Sequence, residues 1–208
     1  MTLRGETRSV YSMKLSEATV SSSVRIRPAQ ESDIAAIVRF ADRNIGADYF
    51  SADKVKSILC ASRHNAIMCS FVLENFETQE LEGIRLTYAP GVWPTRHPSQ
   101  PIHPHLWRTQ LTQTAYFQSL FVSSRFQNNG WGRRLSMASV ENLKCLGARS
   151  VVCHSWDESP NNSSRKYLSS LGFEPVISIP NFWHEIDYEC PRCGRGCTCT
   201  ATEMILYI

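Results

Sequence analysis

The chain has 208 residues, 42% of them hydrophobic and 20% charged, a balance that excludes wholesale disorder and predicts one well-buried domain, with room for a small appendage. A formal net charge of +3 admits a phosphorylated ligand but falls short of the basic footprint that nucleic-acid binding usually leaves. No apolar run approaches the length of a membrane span, and the opening MTLRGETRSVYSMK lacks the apolar core of a secretory signal, so the expected location is the cytoplasm with no membrane partner.

Residues 1–23 are rich in Ser and Thr without periodicity and read as a disordered tail, leaving a folded domain over 24–208. VRIRP, from Val24, alternates apolar and charged side chains as a half-buried strand does, and Pro28 stops it. In ESDIAAIVRFADRNIG, Ile34, Ile37, Val38 and Ala41 fall at helical spacing, with Ser32 or Asp33 as the cap and Gly46 as the end. SADKVKSILC predicts a shorter helix capped by Ser51. NAIMCSFVLEN and LEGIRLTYAP read as two strands joined by the polar loop FETQE. Residues 89–113 then break the regularity with five prolines, three histidines (His97, His103, His105) and two tryptophans (Trp93, Trp107). A long insertion of this kind is usually functional, and its stiff backbone and rigid rings suit a substrate lid or rim. The histidines lack the H-x-x-x-H spacing of a helical metal-ligand pair, which argues against a metal there.

TAYFQSLFV predicts the next strand, and GWGRRLSMASVENLKCLG a helix closed by Gly147. RSVVCHSW reads as a strand buried on both faces, SPNNSSRKYLSSLGF as a helix ending at Gly172, and EPVISI and TEMILYI as the last two strands. The order predicts an α/β fold of the α+β kind, one mixed sheet with helices on both faces.

The segment RFQNNGWGRRL joins a strand to a helix through Gly130 and Gly132. The first N–H groups of a helix have no intrahelical partner, and the aligned peptide dipoles add partial positive charge. Glycines there let a backbone approach a phosphate closely, and Arg133 and Arg134 add cations where the dipole alone disfavours them. The pattern reads as an anion site. It is neither the dinucleotide fingerprint, because Leu135 stands where the third glycine belongs, nor a P-loop, because no G-K-[ST] is present.

QNNGWG, Gln127 to Gly132, fits the [QR]-x-x-G-x-[GA] signature and so resembles the GNAT superfamily of N-acyltransferases. LFVSSRF looks like that family's fourth strand entering its pyrophosphate turn, SPNNSSRKYLSSLGF resembles the following helix, and VRIRPAQESDIAAI resembles a typical start. The resemblance covers about residues 24–208 and implies a mostly antiparallel sheet of about seven strands flanked by helices. It further implies acetyl-CoA, or another acyl-CoA, as co-substrate. The pyrophosphate would lie on the turn of Gln127, Asn128, Asn129, Gly130, Trp131, Gly132 and Arg133. The backbone of Leu120, Phe121 and Val122 would pair with the pantetheine arm, and Asn161 and Ser164 would touch the same arm. A thioester carbonyl polarised near Val122 would then be open to direct attack by an amine through a tetrahedral intermediate.

The proton carriers depart from the family's pattern. Aligning on LGF puts Leu168 at the position of the family's acidic tyrosine, with Tyr167 one residue earlier and about 100° round the helix. TAYFQSLFV carries no acid to serve as base. The candidates are His154, whose residue type titrates near neutrality, Tyr167 and Tyr116, beside Gln118, Asp157 and Glu158 or a water chain. His154 also reads as a histidine satisfied within or beside the sheet. Cys153 lies in an apolar strand, where a thiol is inert, and Cys60, Cys69 and Cys145 read as small buried hydrophobes.

CPRCGRGCTC holds the other four cysteines between the last two strands. C-P-x-C-G is a zinc-knuckle turn, so Cys190, Cys193, Cys197 and Cys199 predict a structural Zn2+ in a knuckle-like loop over 190–199, with His184 as a substitute ligand. A reduced loop, a disulfide pair and an iron–sulfur cluster are the other readings. The leading functional expectation is a primary amine acceptor, a small molecule or an exposed amino group. An aminoacyl-tRNA-dependent transferase, with Arg192 and Arg195 touching tRNA, and a non-catalytic CoA-binding module are the alternatives.

Overall fold

The computed structural model describes residues 23–93 and 100–208, so His97 and all but the last residue of the expected tail lie outside the described residues. Seven strands form one sheet: β1 (Val24–Pro28), β2 (Phe71–Asn75), β3 (Glu80–Tyr88), β4 (Thr114–Val122), β5 (Ser150–Trp156), β6 (Glu174–Ile179) and β7 (Ala201–Tyr207). Their spatial order is β1-β2-β3-β4-β5-β7-β6, antiparallel throughout except between β4 and β5. Helices α1 (Ile34–Asn44) and α2 (Ala52–Ser62) cover one face, and α3 (Trp131–Cys145) and α4 (Ser163–Ser170) the other.

The period of two decides which side chain goes where. On β4, Tyr116 joins the core under α1 and α2, while Ala115 and Phe117 join the core under α3 and α4. Val152 and Ile205 face the first core and Val151, Cys153 and Met204 the second, which is why RSVVCHSW is apolar throughout. Burial pushes the Cys153 thiol up to about 12, in keeping with an inert thiol.

Local chemistry fixes the helix starts. Ser51 caps α2 as expected, its hydroxyl accepting from Lys54 N at 3.1 Å. At α1 a single 3-10 turn, Glu31–Asp33, intervenes, and the Asp33 carboxylate accepts from the Gln30 amide at 2.8 Å while Arg27 grips both its oxygens. Two expectations need correction. NAIMCSFVLEN is broken: Ile67–Met68 pairs with Arg63–His64 in its own short ladder, turned by Asn65 and Ala66 at positive φ, before β2 begins. Cys60 and Cys145 are exposed on their helices, while Cys69 and Cys153 are buried.

Candidate functional site

The parallel ladder between β4 and β5 has three residue pairs, Thr114↔Ser150, Ala115↔Val151 and Tyr116↔Val152. Beyond Tyr116 the strands part. On its other edge β4 stays paired to β3 as far as Val122, with a bulge that leaves Gln118 out of register. Leu120, Phe121 and Val122 are only partly buried, with one backbone edge facing the gap.

From Val122 the chain enters the glycine turn. Ser123 N donates to Glu82 O at 2.8 Å, and the buried Glu82 carboxylate accepts from the Ser123 hydroxyl and pairs with Arg125, which anchors the corner. Gln127 Nε2 donates back to Val122 O at 2.9 Å and Asn129 Nδ2 to Gln127 O at 3.1 Å. Asn128 at φ 61° and Gly130 at φ 77° curl the backbone into the left-handed region. Gly130 is the N-cap of α3 and supplies no side-chain cap, so the amides of Trp131, Gly132 and Arg133 begin the helix without an intrahelical acceptor. A Cβ on Gly130 would meet nothing within 4 Å, whereas one on Gly132 would press on Leu120 at 3.4 Å. The first glycine serves conformation and the second close packing.

The arginines here have local duties. Arg133 Nη1 donates to Ser170 O, at the end of α4, and Arg134 lies over the Trp131 ring. A third cation, which the sequence reading missed, lies beneath. Arg85 of β3 is 3% exposed, stacked 4.1 Å from the Phe117 ring centroid, and donates from Nε and Nη2 to Ser136 Oγ. Ser136 then gives its own proton to the Tyr167 oxygen at 2.7 Å, because the Tyr167 hydroxyl donates to Gly132 O at 2.9 Å. Burial lowers the Arg85 pKa. Tyr167 is thereby turned to the first turn of α3, which it braces. Asn161 sits at φ 55° in the turn before α4, and Ser164 Oγ accepts from Trp156 N at 3.2 Å, closing the end of β5.

On the opposite face, side chains from three strands and the insertion converge. Tyr116 Oη lies 3.2 Å from His154 Nδ1, and His154 Nε2 lies 3.6 Å from Glu203 Oε2. Glu203 of β7 is fully buried; Trp107 Nε1 donates to it at 2.8 Å, and the His103 amide and Nδ1 reach it at 3.1 and 3.2 Å. Burial alone would raise its pKa, but the nearby His154 ring and the hydrogen bonds of Trp107 and His103 outweigh this and hold the carboxyl below its ordinary value. A carboxylate facing Nε2 favours the tautomer with the proton there, which leaves Nδ1 to accept from Tyr116. The other carboxylates proposed as bases are engaged: Asp157 accepts from the Thr202 hydroxyl, and Glu158 from the Thr200 amide. The insertion thus reaches the sheet through Trp93, stacked on Trp107, and through His103, with His105 edge-on beside it.

The four knuckle cysteines also come together. Their Sγ atoms all lie within 4.8 Å of one another, and none is in a disulfide. Hydrogen bonding from the Thr198 backbone and Cys199 lowers the Cys193 thiol to about 7. His184 pairs through Nδ1 with Glu185 and is not part of the four-sulfur cluster. Arg192 and Arg195 pair with Glu158 and Asp187.

No protein-family model matches the chain, and no curated protein sequence is similar to it. Solved structures do match. NAA60 of Arabidopsis thaliana in complex with acetyl-CoA superposes with a TM-score of 0.64 at 14% identity, over 89% of this chain and 98% of that one. The putative acetyltransferase yncA of Salmonella typhimurium, with its cofactor acetyl-CoA, gives 0.60 at 18% identity over 89% and 94%. A chain of the NatC complex bound to Gag peptide and CoA gives 0.62 at 12% identity over 89% and 99%. The fold is that of the GNAT N-acetyltransferases, and this chain carries a cysteine cluster between its last two strands. Among the described residues, no helix is long and apolar enough to cross a membrane.

Proposed function

We propose that the chain transfers an acyl group, most simply acetyl, from acyl-CoA to a primary amine. The observation that carries this reading is the gap between β4 and β5, opening directly onto the capless start of α3. A pantetheine arm can pair with the edge of Leu120–Val122, and the diphosphate can lie on the amides from Asn128 to Arg133. The amine nitrogen attacks the thioester carbon, the C–S bond breaks as the tetrahedral intermediate collapses to the amide, and the departing thiolate takes up the equivalent of the proton that the amine loses, leaving as the thiol.

Tyr116 and His154 are the proton carriers in this reading. They sit where the ladder ends, and Glu203 stabilises the imidazolium that forms when His154 accepts the amine proton by way of the tyrosine hydroxyl. Tyr167 is assigned to bracing the α3 turn. The four thiols take a structural zinc ion, with no open position for chemistry. A peptide amino group suits the acceptor role, since one similar fold was crystallised with peptide and CoA. The binding-only alternative rested on the lack of an acid–base pair, which Glu203 and His154 weaken. The paired Arg192 and Arg195 give tRNA no favouring observation.

Calorimetry with acetyl-CoA, followed by thiol release against a panel of amines and short peptides, tests the reading. Binding heat and amine-dependent thiol release are expected. No heat, together with undiminished turnover in Gly130→Glu, would overturn it.

A further inference from the structure

Residues 180–200, between β6 and β7, contain neither helix nor strand, yet they carry three buried cysteines and pack against the site. Backbone geometry organises the sulfurs. Cys190 and Gly194 exchange both amide hydrogen bonds, at 3.1 and 2.9 Å, and Gly194 and Gly196 take φ of 73° and 71°. Three donors already point at sulfur: Cys199 N to Cys197 Sγ at 3.5 Å, Tyr188 Oη to Cys197 Sγ at 3.7 Å, and Thr198 Oγ1 to Cys193 Sγ at 3.8 Å. Four thiolates around zinc at about 2.3 Å stand roughly 3.8 Å apart, a spacing the 4.8 Å limit on the Sγ separations accommodates.

Two of these cysteines lead straight to the proposed reaction centre. The Cys199 carbonyl accepts from Phe182 N at 3.1 Å, and the Phe182 ring stacks on His154 with centroids 4.3 Å apart. Cys197 holds Tyr188, whose ring meets Tyr49 edge-on at 5.9 Å; Tyr49 Oη in turn lies 3.4 Å from Ser119 Oγ on β4. Tyr49 belongs to the loop between α1 and α2, and at the start of that loop Gly46 abuts Glu189 O so closely that a Cβ would stand 3.3 Å from it. The knuckle is therefore linked to the imidazole through Phe182, and to the loop that flanks the open half of β4 through Tyr188 and Glu189.

We propose that Cys190, Cys193, Cys197 and Cys199 bind one zinc ion, and that this ion positions His154 through Phe182 and the α1–α2 loop through Tyr188. The metal is a positioning element for acyl transfer, remote from the reacting atoms. Its effect on turnover rests on the acyl-transfer reading; its effect on the two contacts does not.

The full chain, purified reduced, should contain about one zinc per molecule, and exchange into cobalt(II) should give thiolate-to-cobalt absorption in the near ultraviolet. Removing the metal with a thiol-competitive chelator should raise amide hydrogen exchange over residues 46–50 and 182–200. Phe182→Leu should retain zinc and acetyl-CoA binding, lower kcat about tenfold and shift its pH profile, because the ring that orients the imidazole is gone. A zinc-free protein without a cobalt band overturns the site. Unchanged exchange at 46–50 after metal loss, or a Phe182→Leu variant with native kcat and pH profile, overturns the positioning role. If removal unfolds the chain, Phe182→Leu decides. If no amine is turned over by native protein, the acyl-transfer reading fails, while metal content and exchange still judge this one.

Discussion

The corner between β4 and α3 and the cluster around Glu203 lie on opposite faces of one sheet and are built by opposite means. The corner is made of main chain: consecutive residues, Gln127 to Arg133, whose amides and glycine conformations form the candidate anion site. The cluster is made of side chains from Tyr116, His154, Glu203, His103 and Trp107, drawn from three strands and an insertion. A site of backbone tolerates most substitutions outside its glycines. A buried polar network depends on every member.

The sharpest way to break that contrast is Glu203→Leu. It leaves Trp107 Nε1 and His103 without their buried acceptor and is expected to cost about 3–5 kcal/mol, read by urea unfolding. A loss below about 1 kcal/mol would mean the network is slack. Next, His154→Ala should lower kcat about 100-fold while leaving acetyl-CoA affinity within about twofold, separating the two faces functionally. Ser136→Ala removes the acceptor of a buried guanidinium and should cost about 1–3 kcal/mol in the same unfolding assay. Gly130→Ala meets no atom and costs only a left-handed backbone, about 1–2 kcal/mol, with a weaker loss of acetyl-CoA affinity than is expected of Gly130→Glu.

The pH dependence sharpens the comparison further. Glu203 has its carboxyl pKa depressed in the folded protein, so its contribution is complete above the ordinary carboxylate range and is lost as pH falls through the lowered value. Native protein should therefore lose thermal stability on acidification below about pH 4.3, and Glu203→Gln should show a flatter profile there. Identical profiles would remove Glu203 as a charged member of the cluster.

The same division governs what could be read from sequence. Strand and helix order followed from periodicity, and the glycine turn from QNNGWG, because both are local patterns. The clustering of the four cysteines was legible for the same reason. Glu203 and Arg85 escaped, since their partners are distant in the chain, yet each carries a signal: Glu203 is the one charged residue of TEMILYI, and Arg85 stands between Ile84 and Leu86 in LEGIRLTY. NAIMCSFVLEN misled because an apolar run does not reveal that Asn65 and Ala66 turn it back on Arg63–His64. His154 was singled out by residue type, but nothing local could show the carboxylate that faces it.

The three-pair ladder between β4 and β5 makes the sheet two panels joined along a short seam, β1–β4 on one side and β5–β7 on the other. Pulled apart across that line, the molecule should yield there first, because few backbone bonds cross it. A cofactor laid in the opening would stitch the panels, so mechanical rupture force and the sharpness of unfolding should both increase once it binds.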